Sequence, residues 1–124
     1  MSDLLLKNGR VLDPANKRDE TADLLVQNGC IARIEPNISS EGVETIDVSG
    51  QLVTPGLIDM HVHLRDPGFP EKETIKTGCE SAAAGGFTTV ACLPNTEPTM
   101  DSPEIVQYIY EQAKSADARV YPIA

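Results

Sequence analysis

Apolar residues in the first half of the chain come in short runs, at residues 4–6, 10–12, 23–26, 31–34 and 43–48, separated by Asn-Gly and Asp-Pro pairs. Short runs bounded by turn formers read as β-strands. The Asn28-Gly29 pair between two such runs is the strongest hairpin signal, because both residues tolerate the positive φ of a two-residue turn. Five short strands bury little by themselves, so residues 1–54 are expected to form a β-rich layer that leans on a larger body. The regime changes at Gly50 and Thr54-Pro55-Gly56. From residue 55 onward a strand at 57–63 is followed by Ile75, Cys79, Ala82 and Ala83 at helical spacing, with Gly85-Gly86 as the stop. A second strand at 88–93 leads to Ser102-Pro103, an N-cap with proline at the first helical position, and to a stripe of Ile105, Val106, Ile109, Tyr110 and Ala113. Residues 119–123 begin a third strand. This alternation of strands and helices predicts an α/β fold built on a parallel sheet. A closed (β/α)8 barrel takes about 250 residues, so residues 55–124 are expected to supply an incomplete TIM-type barrel of three strands and two helices.

Composition narrows the function classes. The chain is 40% hydrophobic and 23% charged, an ordinary globular balance. Its formal net charge is -9, and its basic residues stand singly or in short pairs such as Lys17-Arg18, so phosphate backbones and anionic membrane surfaces would be repelled. The segment Met1-Ser2-Asp3-Leu4-Leu5-Leu6-Lys7 carries an acid where a secretory leader has basic residues, and no apolar run approaches the roughly 20 residues that span a bilayer. A cytoplasmic location is the expectation. Cys30, Cys79 and Cys92 are odd in number and form no C-x-x-C pair, which disfavours a disulfide framework or zinc knuckle; each reads as a small buried thiol.

Candidate chemistry concentrates in Asp59-Met60-His61-Val62-His63-Leu64-Arg65-Asp66-Pro67-Gly68, which holds both histidines of the chain. Side chains alternate along a strand, so Asp59, His61 and His63 are expected on one face with the two imidazoles side by side. Imidazole suits zinc, a catalytic zinc usually takes three protein ligands plus water, and the carboxyl ends of barrel strands are where such sites are built. An H-x-H pair alone also fits two polar residues on an exposed strand.

The run Pro55-Gly56-Leu57-Ile58-Asp59-Met60-His61-Val62-His63 resembles the opening motif of the amidohydrolase superfamily. His63-Leu64-Arg65-Asp66-Pro67-Gly68, Glu73-Thr74 leading into Ala82-Ala83-Ala84-Gly85-Gly86-Phe87-Thr88-Thr89-Val90, and Pro94-Asn95-Thr96 resemble the dihydroorotase family within it. Residues 1–54 are similar to the first part of that family's small, composite, β-sandwich-like domain, whose remaining strands come from the carboxyl end of a complete chain. The resemblance implies a zinc-dependent cyclic amidohydrolase with one or two Zn2+ per complete site. It implies that His61 and His63 are metal ligands, that Arg65 and Asn95 hold the substrate's carboxylate, and that Asp59 supports the histidines. A guanidinium suits that role, since it presents a fixed fork of donors and stays charged. The plainer readings are a surface Arg65 paired with Asp66, and Asn95 as a turn residue after Pro94. Many relatives carry glutamate where this chain has Asp66.

The implied reaction is the reversible closure of N-carbamoyl-L-aspartate to dihydroorotate in pyrimidine biosynthesis. Further metal ligands and a catalytic aspartate are expected beyond Ala124, so this chain alone is expected to be inactive. A homo-oligomer is expected of the complete protein, with aspartate transcarbamoylase as a candidate partner. Two other readings stay open. An allantoinase or dihydropyrimidinase-type enzyme would share fold and metal, but Arg65 and Asn95 argue against it, because a buried arginine without an anion is costly. A non-catalytic subunit that scaffolds aspartate transcarbamoylase is disfavoured by retention of both histidines.

Overall fold

The structure, a computed structural model, describes residues 3–39 and 41–124; Met1 and Ser2 of the amino-terminal segment read above, and Ser40, lie outside the described residues. The chain divides into two units, Met1–Pro55 and Gly56–Ala124.

The first unit contains strands β1 (Leu4–Asp13), β2 (Arg18–Gln27), β3 (Cys30–Glu35), β4 (Glu44–Asp47) and β5 (Leu52–Val53). Their sheet runs β3-β2-β1-β4, with β5 also on β1. β1 is antiparallel to β2 but parallel to β4 and β5. The runs at 4–6 and 10–12, expected as separate strands, are one strand. Asn8-Gly9 is a bulge within it, marked by a register shift against β2 and a φ of 63° at Asn8. Gly9 is needed there because a Cβ would sit 2.7 Å from Val53 Cγ2 and 2.9 Å from Val48 Cγ2. Asn28-Gly29 is the expected hairpin turn: both residues have positive φ, 51° and 75°, and Gln27 pairs with Cys30.

The core of this unit is Leu5, Leu25 and Ile38, with Val43 against it. Asp23 is also buried, at 3% exposure. Its carboxylate accepts the backbone N–H groups of Asn8 and Ile38, each at 2.9 Å, and faces Lys7 Nζ at 3.3 Å. One side chain therefore anchors both the bulge and the loop after β3. Burial pushes this carboxyl upward, but the two backbone donors and Lys7 outweigh it and hold it below its ordinary range. A depressed folded value means that Asp23 stabilises the fold fully above the unfolded carboxylate value, about 3.9, and that this contribution fades as pH falls through the folded value. Asp23→Ala would strand two backbone donors, so we expect a loss of roughly 2–5 kcal/mol at neutral pH. Denaturant melts of both proteins would check this, with the gap between them narrowing at acid pH; equal midpoints at pH 7 would contradict it.

The second unit contains β6 (Leu57–Val62), α1 (Ile75–Ala84), β7 (Phe87–Cys92), α2 (Pro103–Ala113) and β8 (Arg119–Pro122). The strands form a parallel sheet in the order β6-β7-β8. Thr74 caps α1: its hydroxyl accepts the Thr77 N–H and the Thr77 hydroxyl accepts the Thr74 N–H, both at 3.0 Å. Gly85-Gly86 stops the helix, and Gly86 takes the left-handed φ of 83° that turns the chain into β7. Ser102 caps α2, with Pro103 at its start.

Val90, Cys92 and Val120 from the sheet meet Ile75, Cys79 and Ile109 from the helices, together with Leu64, Met100 and Ala118. Two details differ from the sequence reading. Tyr110 is exposed, so it falls outside the buried stripe of α2. Ala83 and Ala84 are exposed too, and the close approach of α1 is made by Gly78, where a Cβ would lie 2.5 Å from Leu64 Cδ2. Cys30 is exposed rather than buried, whereas Cys79 and Cys92 are buried free thiols. Burial pushes the Cys92 thiol up to about 11, which keeps it protonated and inert. Among the described residues no helix is long and apolar enough to cross a membrane.

Candidate metal and substrate site

Parallel pairing brings the carboxyl ends of β6 and β7 to one rim, where α/β sheets place their ligands. β6 ends at Val62, so His63 is the first residue beyond it, and Asn95 follows β7. The rings of His61 and His63 lie edge to face with centroids 5.3 Å apart, which puts the two imidazoles together as expected. His63 Nδ1 is 2.9 Å from Asn95 Oδ1. An amide oxygen can only accept, so this bond puts the proton on Nδ1 and leaves the Nε2 lone pair for a ligand. The two N–H groups of the Asn95 amide are left as donors. The partners are 32 residues apart in sequence and meet only through the parallel register.

Along the ladder Asp59 pairs with Val90 and Val62 with Cys92, so three steps on β6 match two on β7. The extra residue breaks strict alternation. Asp59 lines, together with Val62, His63 and Leu64, a cleft of about 350 Å³ against Gly78, Ser81 and Ala82 of α1. Its Oδ1 accepts the His61 backbone N–H at 2.9 Å, so it steadies the main chain under that histidine.

Arg65 is half-buried and takes a left-handed φ of 56°, uncommon for a residue with a side chain. Its carbonyl accepts the Phe69 N–H at 2.8 Å. Among the described residues no ion pair includes Arg65. Asp66, the neighbour that could have neutralised it, instead accepts the Tyr108 hydroxyl on Oδ1 at 2.9 Å. Gly68, with φ 110°, lies against the next loop so closely that a Cβ would be 2.5 Å from the Glu97 carbonyl oxygen and 2.7 Å from its nitrogen. Glu97 N–H donates to the Pro67 carbonyl at 3.1 Å. The loops carrying Arg65 and Asn95 therefore touch backbone to backbone. Tyr108 escaped the sequence reading because it looks like one more aromatic on a helix.

Among the described residues no group of three or more His, Cys, Asp or Glu side chains is placed to hold a metal, and His61 and His63 form a pair. This architecture is shared with hydantoinase-like cyclic-amide hydrolases. L-hydantoinase (dihydropyrimidinase) from Arthrobacter aurescens superposes with a TM-score of 0.80 at 30% identity, over 98% of this chain and 27% of that one. Dihydropyrimidinase from Brevibacillus agri gives 0.79 at 24% identity over 97% of this chain and 26% of that one, a likeness of fold alone. Residues 50–124 match the dihydro-orotase-like family, and the chain belongs to it. It is 51% identical over 121 residues to a dihydroorotase of Solibacter usitatus, covering 97% of this chain and 28% of that protein. It is 54% identical over 122 residues to one of Citrifermentans bemidjiense, covering 97% of this chain and 29% of that protein. The chain thus spans under a third of the length of the curated relatives it matches.

Proposed function

We propose that the protein acts as a dihydroorotase, a cyclic-amide hydrolase that interconverts N-carbamoyl-L-aspartate and dihydroorotate in pyrimidine biosynthesis. In this reading residues 1–54 belong to the small composite domain, and residues 55–124 open a metal-dependent (β/α)8 barrel. Two adjacent imidazoles, one with Nδ1 engaged and Nε2 free, are a donor set that suits zinc. His61 and His63 would hold it, and when bound it would supply Lewis acidity toward the ring amide. Asp59 steadies the His61 backbone, Asn95 fixes the His63 tautomer and offers amide donors to the substrate, and Arg65 takes the substrate carboxylate.

The observation that carries this reading is the unpaired, half-buried Arg65. A guanidinium without a protein carboxylate is suited to a carboxylate brought by the ligand. Dihydroorotate has one, and the rings opened by dihydropyrimidinases do not. The same reading includes a cytoplasmic location, a homo-oligomer, and aspartate transcarbamoylase as a candidate partner to be sought by co-purification.

The test is to purify the product of the full coding sequence and compare ring substrates. Dihydroorotate should be preferred over dihydrouracil and allantoin by roughly 100-fold or more in kcat/KM; equal or better turnover of a ring lacking the carboxylate would overturn the assignment. The 124-residue chain alone should show no turnover, because its two imidazoles fall short of three ligands. Activity in a preparation free of contaminating enzyme would contradict that.

A further inference from the structure

Asp66 follows Arg65 directly, and a carboxylate next to an arginine is its natural partner, yet the two form no ion pair. What Asp66 accepts is the hydroxyl of Tyr108, which comes from α2, 42 residues further along the chain. Two features set this up. The left-handed backbone at Arg65 turns the chain sharply between the two side chains, and Tyr108 lies on a helix held at its buried position Ile109. Burial, then the neighbouring Asp66 carboxylate, push the Tyr108 hydroxyl above its ordinary value, so it stays a proton donor at neutral pH.

We propose that Tyr108 is a positioning residue for substrate binding: its hydroxyl sequesters the Asp66 carboxylate and thereby leaves the Arg65 guanidinium free for the carboxylate of the substrate. The inference rests on the proposed role of Arg65 and adds a control on it. Without the hydroxyl, Asp66 is released beside Arg65 and competes with the substrate for the same fork of donors. Such an internal competitor weakens binding of the anionic ring and leaves the bond-breaking chemistry alone. Its signature is a change in KM without a matching change in kcat.

The experiment uses the product of the full coding sequence in four forms besides the unmodified one: Tyr108→Phe, Asp66→Asn, the double variant, and Arg65→Met. Tyr108→Phe should raise KM for dihydroorotate by roughly 3- to 20-fold, with kcat within about twofold, since a partly exposed ion pair competes only modestly. Kinetics on dihydrouracil, which lacks the carboxylate, should not move. Asp66→Asn by itself should keep KM near normal, because an amide oxygen still accepts from Tyr108 and bears no charge to compete. The decisive form is the double variant: with the competitor neutralised, KM should return to within about threefold of the unmodified protein. A merely structural loss at Tyr108 would not be repaired by a second change in the same contact.

An unchanged KM in Tyr108→Phe, or a raised KM that Asp66→Asn fails to restore, overturns the sequestration while Arg65→Met still shows its defect. If Arg65→Met itself leaves KM and kcat/KM for dihydroorotate unchanged, the carboxylate reading of Arg65 falls, and the role of Tyr108 falls with it. If Tyr108→Phe does not fold, Tyr108→His, which keeps a ring and a donor, takes its place. It should then bind dihydroorotate nearly normally at a pH where the imidazole is protonated and both ring nitrogens donate, and failure to do so sinks the proposal.

Discussion

Replacing His61 by alanine in the full-length protein is expected to deplete the bound metal and abolish turnover of every ring substrate. The argument is one of ligand count. A catalytic zinc commonly has three protein ligands, and removing one leaves a site too weak to retain the ion during purification and too open to hold it in one geometry. His61 also has its backbone N–H on Asp59 and its ring against His63, so alanine removes the side chain with little reason to disturb the strand. The measurement is metal content per chain together with kcat on dihydroorotate. A variant that kept near-stoichiometric zinc and substantial activity would remove His61 from the site.

Arg65→Met should behave in the opposite way with respect to metal. The thioether stem roughly keeps the length of the side chain, while the charged fork is lost. A hydrogen bond to a charged group is worth about 1.5 to 3 kcal/mol, so losing one or two should lower kcat/KM for dihydroorotate by roughly ten- to several-hundred-fold. Zinc content should stay near that of the unmodified protein. Lysine at this position should recover only part of the loss, because an ammonium supplies charge without the planar two-pronged geometry. Loss of zinc as complete as in His61→Ala, or full activity on dihydroorotate, would end the case for a carboxylate anchor and with it the main reason for preferring dihydroorotate over uncharged rings.

What could be read from the sequence follows a physical divide between local and long-range determinants. The Asn28-Gly29 hairpin, the Ser102 start of the second helix and the Gly86 turn were legible because each is decided by φ preference or capping within a few residues. The strand-helix alternation after residue 55 was legible for the same reason. Asn8-Gly9 misled because the identical dipeptide serves as turn or bulge, and the choice was made by β2, β4 and β5, which pair along the whole of β1. The irregular pairing along β6 was hidden on a similar point. Alternation assumes regular pairing, and the shift between Asp59 and Val62 exists only relative to β7. In the site, the H-x-H pair stood out as a motif. The His63–Asn95 and Asp66–Tyr108 bonds did not, since they span 32 and 42 residues and depend on how β7 and α2 come to rest against β6.

The contact of Gly68 with Glu97 bears on how this binding site can change over evolutionary time. With no room for even a methyl group between the two loops, the segments that present Arg65 and Asn95 cannot be re-aimed one at a time. Point changes at either residue can delete a donor, but moving the proposed carboxylate-binding corner to suit a differently shaped ring requires both loops to shift in step. Selection for a new ring specificity should therefore stall in libraries that randomise a single loop, and advance in those where the stretches around residues 65–69 and 94–98 vary together.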